Sequence, residues 1–142
     1  MKEKERRLYT KYCLELLGYK CVTPDDKDFR VYEGSNDNLP DSIDANYNTG
    51  FVRNWNCIMT VVEAIENLDF SKDGYSWELD GEIQYNNEGI SVDIENNWCI
   101  IYQNLALDPI HIYSSVKAPT KKEAVVKAIN EFLIYYNEIK VN

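Results

Sequence analysis

The spacing of apolar residues changes twice along this chain, and that change limits the folds open to it more than any other feature. In the stretch "NWNCIMTVVEAIENL", residues Trp55, Ile58, Met59, Val62, Ile65 and Leu68 recur every three or four positions, which puts them on one face of a helix over 55 to 68. Between Gly74 and Ser115 the period falls to two. Tyr75, Trp77 and Leu79, then Ile83 and Tyr85, then Ile90, Val92 and Ile94 alternate with polar residues, as the two faces of a pleated strand require. After Pro119 the helical spacing returns, with Ala124, Val125, Ala128, Ile129, Phe132 and Tyr136 on one stripe, predicting a helix over 121 to 138. A block of strands flanked by helices specifies an α+β chain with an antiparallel sheet.

Local punctuation sharpens this outline. Leu8, Tyr9, Cys13, Leu16 and Leu17 share a helical face and Gly18 follows where a left-handed cap is expected, predicting a first helix over 3 to 17. "YKCVT" reads as a short strand stopped by Pro24, and residues 29 to 48 read as a long surface loop in which "FRVY" alone is strand-like. Asp80-Gly81 offers a tight hairpin turn, and "NNEG" and "ENN" offer two more. "WCIIYQ" is a nearly continuous apolar strand, which predicts a central position covered on both sides. Thr120 and Glu123 form a capping box before the last helix, and Asn54 is placed to cap the middle one. The expected architecture is an α/β/α sandwich: an antiparallel sheet of four to six strands and three helices, packed on both faces. At 142 residues one domain, 1 to 142, is expected.

Charge and cysteine content exclude several functions. Acidic residues number 24 against 15 basic ones, a net charge of -9, so the overall field repels nucleic-acid polymers and anionic membranes. A compact anion still fits a locally basic pocket. Cys13, Cys21, Cys57 and Cys99 are widely spaced and His111 is the single histidine, which makes a metal site unexpected and predicts reduced thiols in a cytoplasmic protein. No apolar run has the length of a secretory core or a membrane span.

The chain also lacks a glycine-rich phosphate loop, a nucleophile elbow and a zinc-protease helix, so no enzyme and no cofactor is expected. His111 sits between Ile110 and Ile112 on an alternating strand and reads as a half-exposed structural residue. Glu78, Asp80, Asp93 and Glu95 form a weaker alternative as a metal or acid-base site. Aromatic residues make up 13% of the chain, more than a small core needs. Trp77, Trp98 and Tyr135-Tyr136 read as packing residues, whereas Tyr32, Tyr47 and Tyr85 lie near loops and are freer to meet a ligand. The helix entrance Arg53-Asn54-Trp55 supports two readings. In one, Asn54 caps and Trp55 packs inward; in the other, exposed N–H groups and the Arg53 guanidinium hold a phosphate or carboxylate.

"NWNCIMTVVEAIENL" and "TKKEAVVKAINEFLIYYNE" are similar to the paired helices of small phage and prophage proteins of the phage ABA-sandwich type. Members of that family carry a W-x-x-(I/L)-M-x-V-V-E-x-I helix and a K-x-E-A-V…A…E-F-I-x-(Y/W)-Y-N-E ending, and "YCLELLGYKCV" resembles their first helix and strand. The resemblance implies a phage-encoded protein acting in the cytoplasm of an infected bacterial host. It also implies a counter-defence role: a homo-oligomer that sequesters a cyclic nucleotide signal, either a cyclic oligonucleotide or a cyclic ADP-ribose isomer, without cleaving it. The residues expected to supply the cations and aromatic faces are Arg30, Tyr47, Arg53, Trp55 and Lys117. The competing expectation is an acidic protein-binding inhibitor of a host defence protein that mimics nucleic acid.

Overall fold

The computed structural model describes residues 1–24, 30–44, 50–68, 76–85, 89–103 and 110–141. Its elements in chain order are α1 (Glu3–Leu16), β1 (Lys20–Cys21), β2 (Tyr32–Glu33), β3 (Ser42–Ile43), α2 (Gly50–Arg53), α3 (Trp55–Glu66), β4 (Ser76–Leu79), β5 (Glu82–Tyr85), β6 (Ile90–Glu95), β7 (Trp98–Gln103), β8 (His111–Lys117) and α4 (Lys121–Val141). The α+β class holds. Among the described residues, however, the strands form three antiparallel sheets, β1-β2-β3, β4-β5 and β6-β7-β8, in place of the expected single sheet. Alternation identifies strand faces but carries no information on which strand edges meet.

The chain divides into two compact units, residues 1–61 with 133–142, and residues 62–132. In the first, α1 ends as its sequence requires. Gly18 takes φ +89°, the Gly18 amide donates to the Glu15 carbonyl at 3.0 Å and the Tyr19 amide to Leu14 at 2.8 Å. This double bond pattern around a left-handed glycine closes the last carbonyls of the helix. The α1 stripe buries Tyr9, Cys13 and Leu14, and the Tyr9 hydroxyl donates to the Phe51 carbonyl at 2.9 Å.

The segment expected as a long loop contains β2, β3 and a bridge between Asn36 and Leu39, with Tyr32 paired to Ile43 and Cys21 to Tyr32. Ile43 and Leu39 supply the apolar anchors that order it. Its polar composition hid the hairpin, because two-residue strands leave no periodic signal. Tyr19 is 2% exposed and its hydroxyl donates to the Pro40 carbonyl at 2.7 Å. Gly34 lies against that ring: a Cβ at position 34 would stand 2.7 Å from Tyr19 Cγ.

In the second unit, Asp80 (φ 53°) and Gly81 (φ 82°) make the tight turn between β4 and β5, as the dipeptide requires. Strand β7 pairs with β6 on one edge and β8 on the other. The first half of α4 covers one face: the Tyr113 and Phe132 rings meet edge to face at 5.6 Å, and the Ser114 hydroxyl donates to the Glu131 carboxylate at 2.8 Å. Thr120 caps α4 by accepting from the Glu123 amide at 3.2 Å, and Ala124, Val125, Ala128, Ile129 and Phe132 are fully buried along it.

The close approach of Gly34 to Tyr19 yields a stability test. Gly34→Ala forces a buried ring to move and is expected to destabilise the fold by about 1 to 3 kcal/mol, read as a lower denaturant midpoint at unchanged slope. A midpoint equal to wild type would show that the ring yields without cost.

Candidate functional site

Of the five positions singled out in the sequence, Arg30, Arg53 and Trp55 belong to the first unit and Lys117 to the second; Tyr47 lies outside the described residues. Arg53 is exposed and closes the single turn of α2. The anion reading of the helix entrance needs unsatisfied amides, and Asn54 takes two of them. Its side-chain oxygen accepts from the Asn56 amide at 2.9 Å and the Cys57 amide at 3.4 Å, so the cap fills the place an anion would occupy. Trp55 does not pack into the core: it is 37% exposed, as is its neighbour one turn on, Met59, at 38%. The apolar stripe of α3 that reaches the core is Ile58, Val61, Val62 and Ile65, rotated off the one that the spacing suggested.

Arg30 donates from its guanidinium to the Pro24 carbonyl at 3.1 Å and lies beside Cys21. The Cys21 thiol contacts the Thr23 hydroxyl at 3.4 Å. Stabilisation of the thiolate, first by the Thr23 hydroxyl and then by Arg30, lowers the Cys21 pKa below the usual thiol range. Cys13 and Cys99 behave oppositely. Burial raises the Cys13 thiol far above its ordinary value and lifts Cys99 to about 12.

An open depression of about 330 Å³ in the first unit is lined by Glu33, Gly34, Ser35, Asp41 and Ser42. Two carboxylates and no cation give it the wrong sign for a phosphate. No group of three or more His, Cys, Asp or Glu side chains arranged to hold a metal occurs among the described residues. His111 is half-exposed, with its ring 4.5 Å from that of Tyr113.

The face of the β6-β7-β8 sheet opposite α4 is a different kind of surface. The alternation of β7 buries Cys99, Ile101 and Gln103 and turns Trp98, Ile100 and Tyr102 outward. Strand register then sets their neighbours. Glu95 and Lys117 flank Trp98, Asp93 and Ser115 flank Ile100, and Ser91 and Ile112 flank Tyr102. The expectation that "WCIIYQ" is central holds, but its outward side is covered only in part: Trp98 is 37% exposed and Ile100 and Tyr102 are half-buried. A continuous apolar run is silent about whether a second layer exists, so Trp98 could not be recognised as a surface residue from its neighbours. The Lys117 ammonium stands 5.3 Å from the centroid of the Trp98 ring, within cation–π range. The indole N–H donates to the Ser115 hydroxyl at 3.0 Å, and Tyr102 donates to the Asp93 carboxylate at 2.9 Å. That bond holds the Tyr102 hydroxyl protonated above its ordinary range. Both aromatics are therefore oriented by side-chain partners and present polar and apolar edges together.

Comparison of the chain with protein-family models, curated proteins and solved structures finds no match. No helix among the described residues is long and apolar enough to cross a membrane.

The thiol environments predict selective labelling. In the native protein a thiol reagent should modify Cys21 alone, with a reactivity midpoint below that of an unperturbed thiol. Thr23→Val should shift that midpoint upward, and Arg30→Ala should do the same to a smaller degree. Peptide mapping after a brief alkylation series across pH reads both effects, and equal labelling of Cys99 would contradict the burial assigned to it.

Proposed function

We propose that this chain is a non-catalytic binding protein, encoded by a phage and acting in the bacterial cytoplasm, that sequesters a cyclic nucleotide immune signal. The observation that carries the reading is the Lys117 ammonium 5.3 Å over the exposed Trp98 ring. A nucleotide needs a π-surface for its base and a cation for its phosphate, and this pair supplies both within one side-chain length. Tyr102 extends the aromatic surface along the same strand face, and the Ser115 hydroxyl adds a polar contact. Of the positions proposed from the sequence, Lys117 is the one this reading uses; Arg30, Tyr47, Arg53 and Trp55 play no part in it. A phage ABA-sandwich relationship, with helices on both faces of one larger sheet, is part of the same proposal. It is supported by the helix patterns of α3 and α4.

One observation favours a second reading. Trp98, Ile100 and Ile112 form a flat apolar centre rimmed by Asp93 and Glu95, on a chain of net charge -9. Apolar centres with charged rims suit protein partners, and the acidic edge suits a basic one. The two readings part on ionic strength, because steering by surface charge weakens steeply with salt whereas base stacking does not.

A thermal-shift screen against cyclic dinucleotides, cyclic trinucleotides and cyclic ADP-ribose isomers tests the first reading, since a ligand that binds only the folded state raises its melting temperature. A shift for one class is expected, with intact ligand recovered after heating. Trp98→Ala should weaken that binding by about 1 to 3 kcal/mol. If Arg53→Ala causes a loss of about 1.5 to 3 kcal/mol instead, the site lies at the helix entrance. No shift with any ligand at saturation would leave the protein-inhibitor reading.

A further inference from the structure

Read across the strands, the outer face of the β6-β7-β8 sheet has a polarity. Its first row runs Glu95, Trp98, Lys117, that is, negative, aromatic, positive. Among the described residues neither Glu95 nor Lys117 has an ion-pair partner in its own chain. The second row runs Asp93, Ile100, Ser115. The Ser115 oxygen already accepts from Trp98, so its own proton remains to be donated.

From this arrangement we infer that a second copy of the chain covers the face, related by a two-fold axis parallel to β7. Such an axis lays β6 of each copy over β8 of the other while keeping positions along the strands. Glu95 of each copy then meets Lys117 of the other, twice, and Asp93 meets the Ser115 hydroxyl of the other. Trp98, Ile100 and Tyr102 stack on their own counterparts along the axis, as aligned sheet packing allows. The alternative two-fold axis in the same plane, perpendicular to the strands, sets Glu95 over Ser91 and Lys117 over Ile112, leaving those charges unpaired, and places Asp93 over Asp93. Charge complementarity selects the first. The face spans about 300 Å² at standard strand spacing and rise. That is below the roughly 800 Å² per partner of a standard interface, so the dimer is weak and concentration-dependent. The dimer stands apart from the nucleotide reading: with Trp98 stacked on its counterpart and Lys117 paired to Glu95 of the other copy, a nucleotide on this face would compete with the second copy.

Sedimentation equilibrium of the full chain, over a concentration series reaching the millimolar range, decides the matter. Wild type should self-associate. Glu95→Lys and Lys117→Glu should each weaken association about tenfold by placing like charges together, and the double variant should regain it. An equimolar mixture of the two single variants should associate heterotypically, because each supplies the sign the other lacks. Wild type that stays monomeric throughout, single variants that associate like wild type, or a double variant as weak as the singles would each overturn the dimer. Should Lys117→Glu melt early because it loses its place over Trp98, Ile112→Asp serves in its stead. That side chain is exposed in the single chain but would be buried in the dimer, so undiminished association would refute the arrangement. A monomer that still binds a cyclic nucleotide overturns the dimer and keeps the nucleotide reading; a charge-rescued dimer without nucleotide binding does the reverse.

Discussion

Strand β7 is hydrogen-bonded along both edges, and the second unit depends on that double pairing. With β6 and β8 both in register against it, every alternate side chain is committed to one face. Cys99, Ile101 and Gln103 point toward α4, and Trp98, Ile100 and Tyr102 point away. A slip of one residue would exchange the two sets and put Trp98 into a space now filled by a thiol. The register irregularity opposite Ile101 and Tyr102 adds a second consequence. A bulge inserts an extra residue on one strand, so the adjacent Tyr113 and Ser114 both reach inward. There Tyr113 donates to the Gln103 side chain at 2.8 Å and Ser114 to Glu131 on α4. The polar atoms beneath the sheet are thus paired with one another, which is what allows Gln103 to be fully buried.

In the first unit, local hydrogen bonds consume groups that would otherwise bind ligands. Asn54 holds the amides at the start of α3, the Pro24 carbonyl accepts from Arg30, and the Tyr9 hydroxyl holds the Phe51 carbonyl. The depression beside Gly34 is rimmed by carboxylates. These arrangements stabilise a segment of short strands that has few apolar residues of its own. The aromatic side chains and the lysine that share one sheet face lie in the second unit.

That face combines features of two kinds of recognition. Its centre is flat, apolar and aromatic, as a protein interface requires, and one edge carries a cation seated over an indole, as nucleotide binding requires. A flat surface buries one side of a planar base, whereas small-molecule sites enclose most of their ligand. The opposed signs of Glu95 and Lys117 on either side of Trp98 make the face complementary to another copy of itself.

Local features were legible in the sequence, because their physics lies within a few residues. The helices α1, α3 and α4, the glycine that ends α1, the Asn54 and Thr120 caps and the Asp80-Gly81 turn all follow from spacing and side-chain chemistry at short range, although the faces of α1 and α3 that reach the core are rotated from the expected stripes. Tertiary structure decided the remainder. Residues 30 to 44 form a hairpin because Tyr32 pairs with Ile43 and Tyr19 donates to the Pro40 carbonyl, contacts that leave no periodic pattern, and the described strands divide among three sheets because edge pairing is not encoded in alternation. Trp98 and Trp55 were expected in the core since both are large and apolar, yet each is partly exposed. Burial depends on whether another layer covers the face a side chain occupies, and no residue's own neighbours in sequence record that. Lys117 was legible as a cation near a strand end. Its partner was not, because the β7-β8 register, and not proximity in sequence, brings the Trp98 ring beneath it.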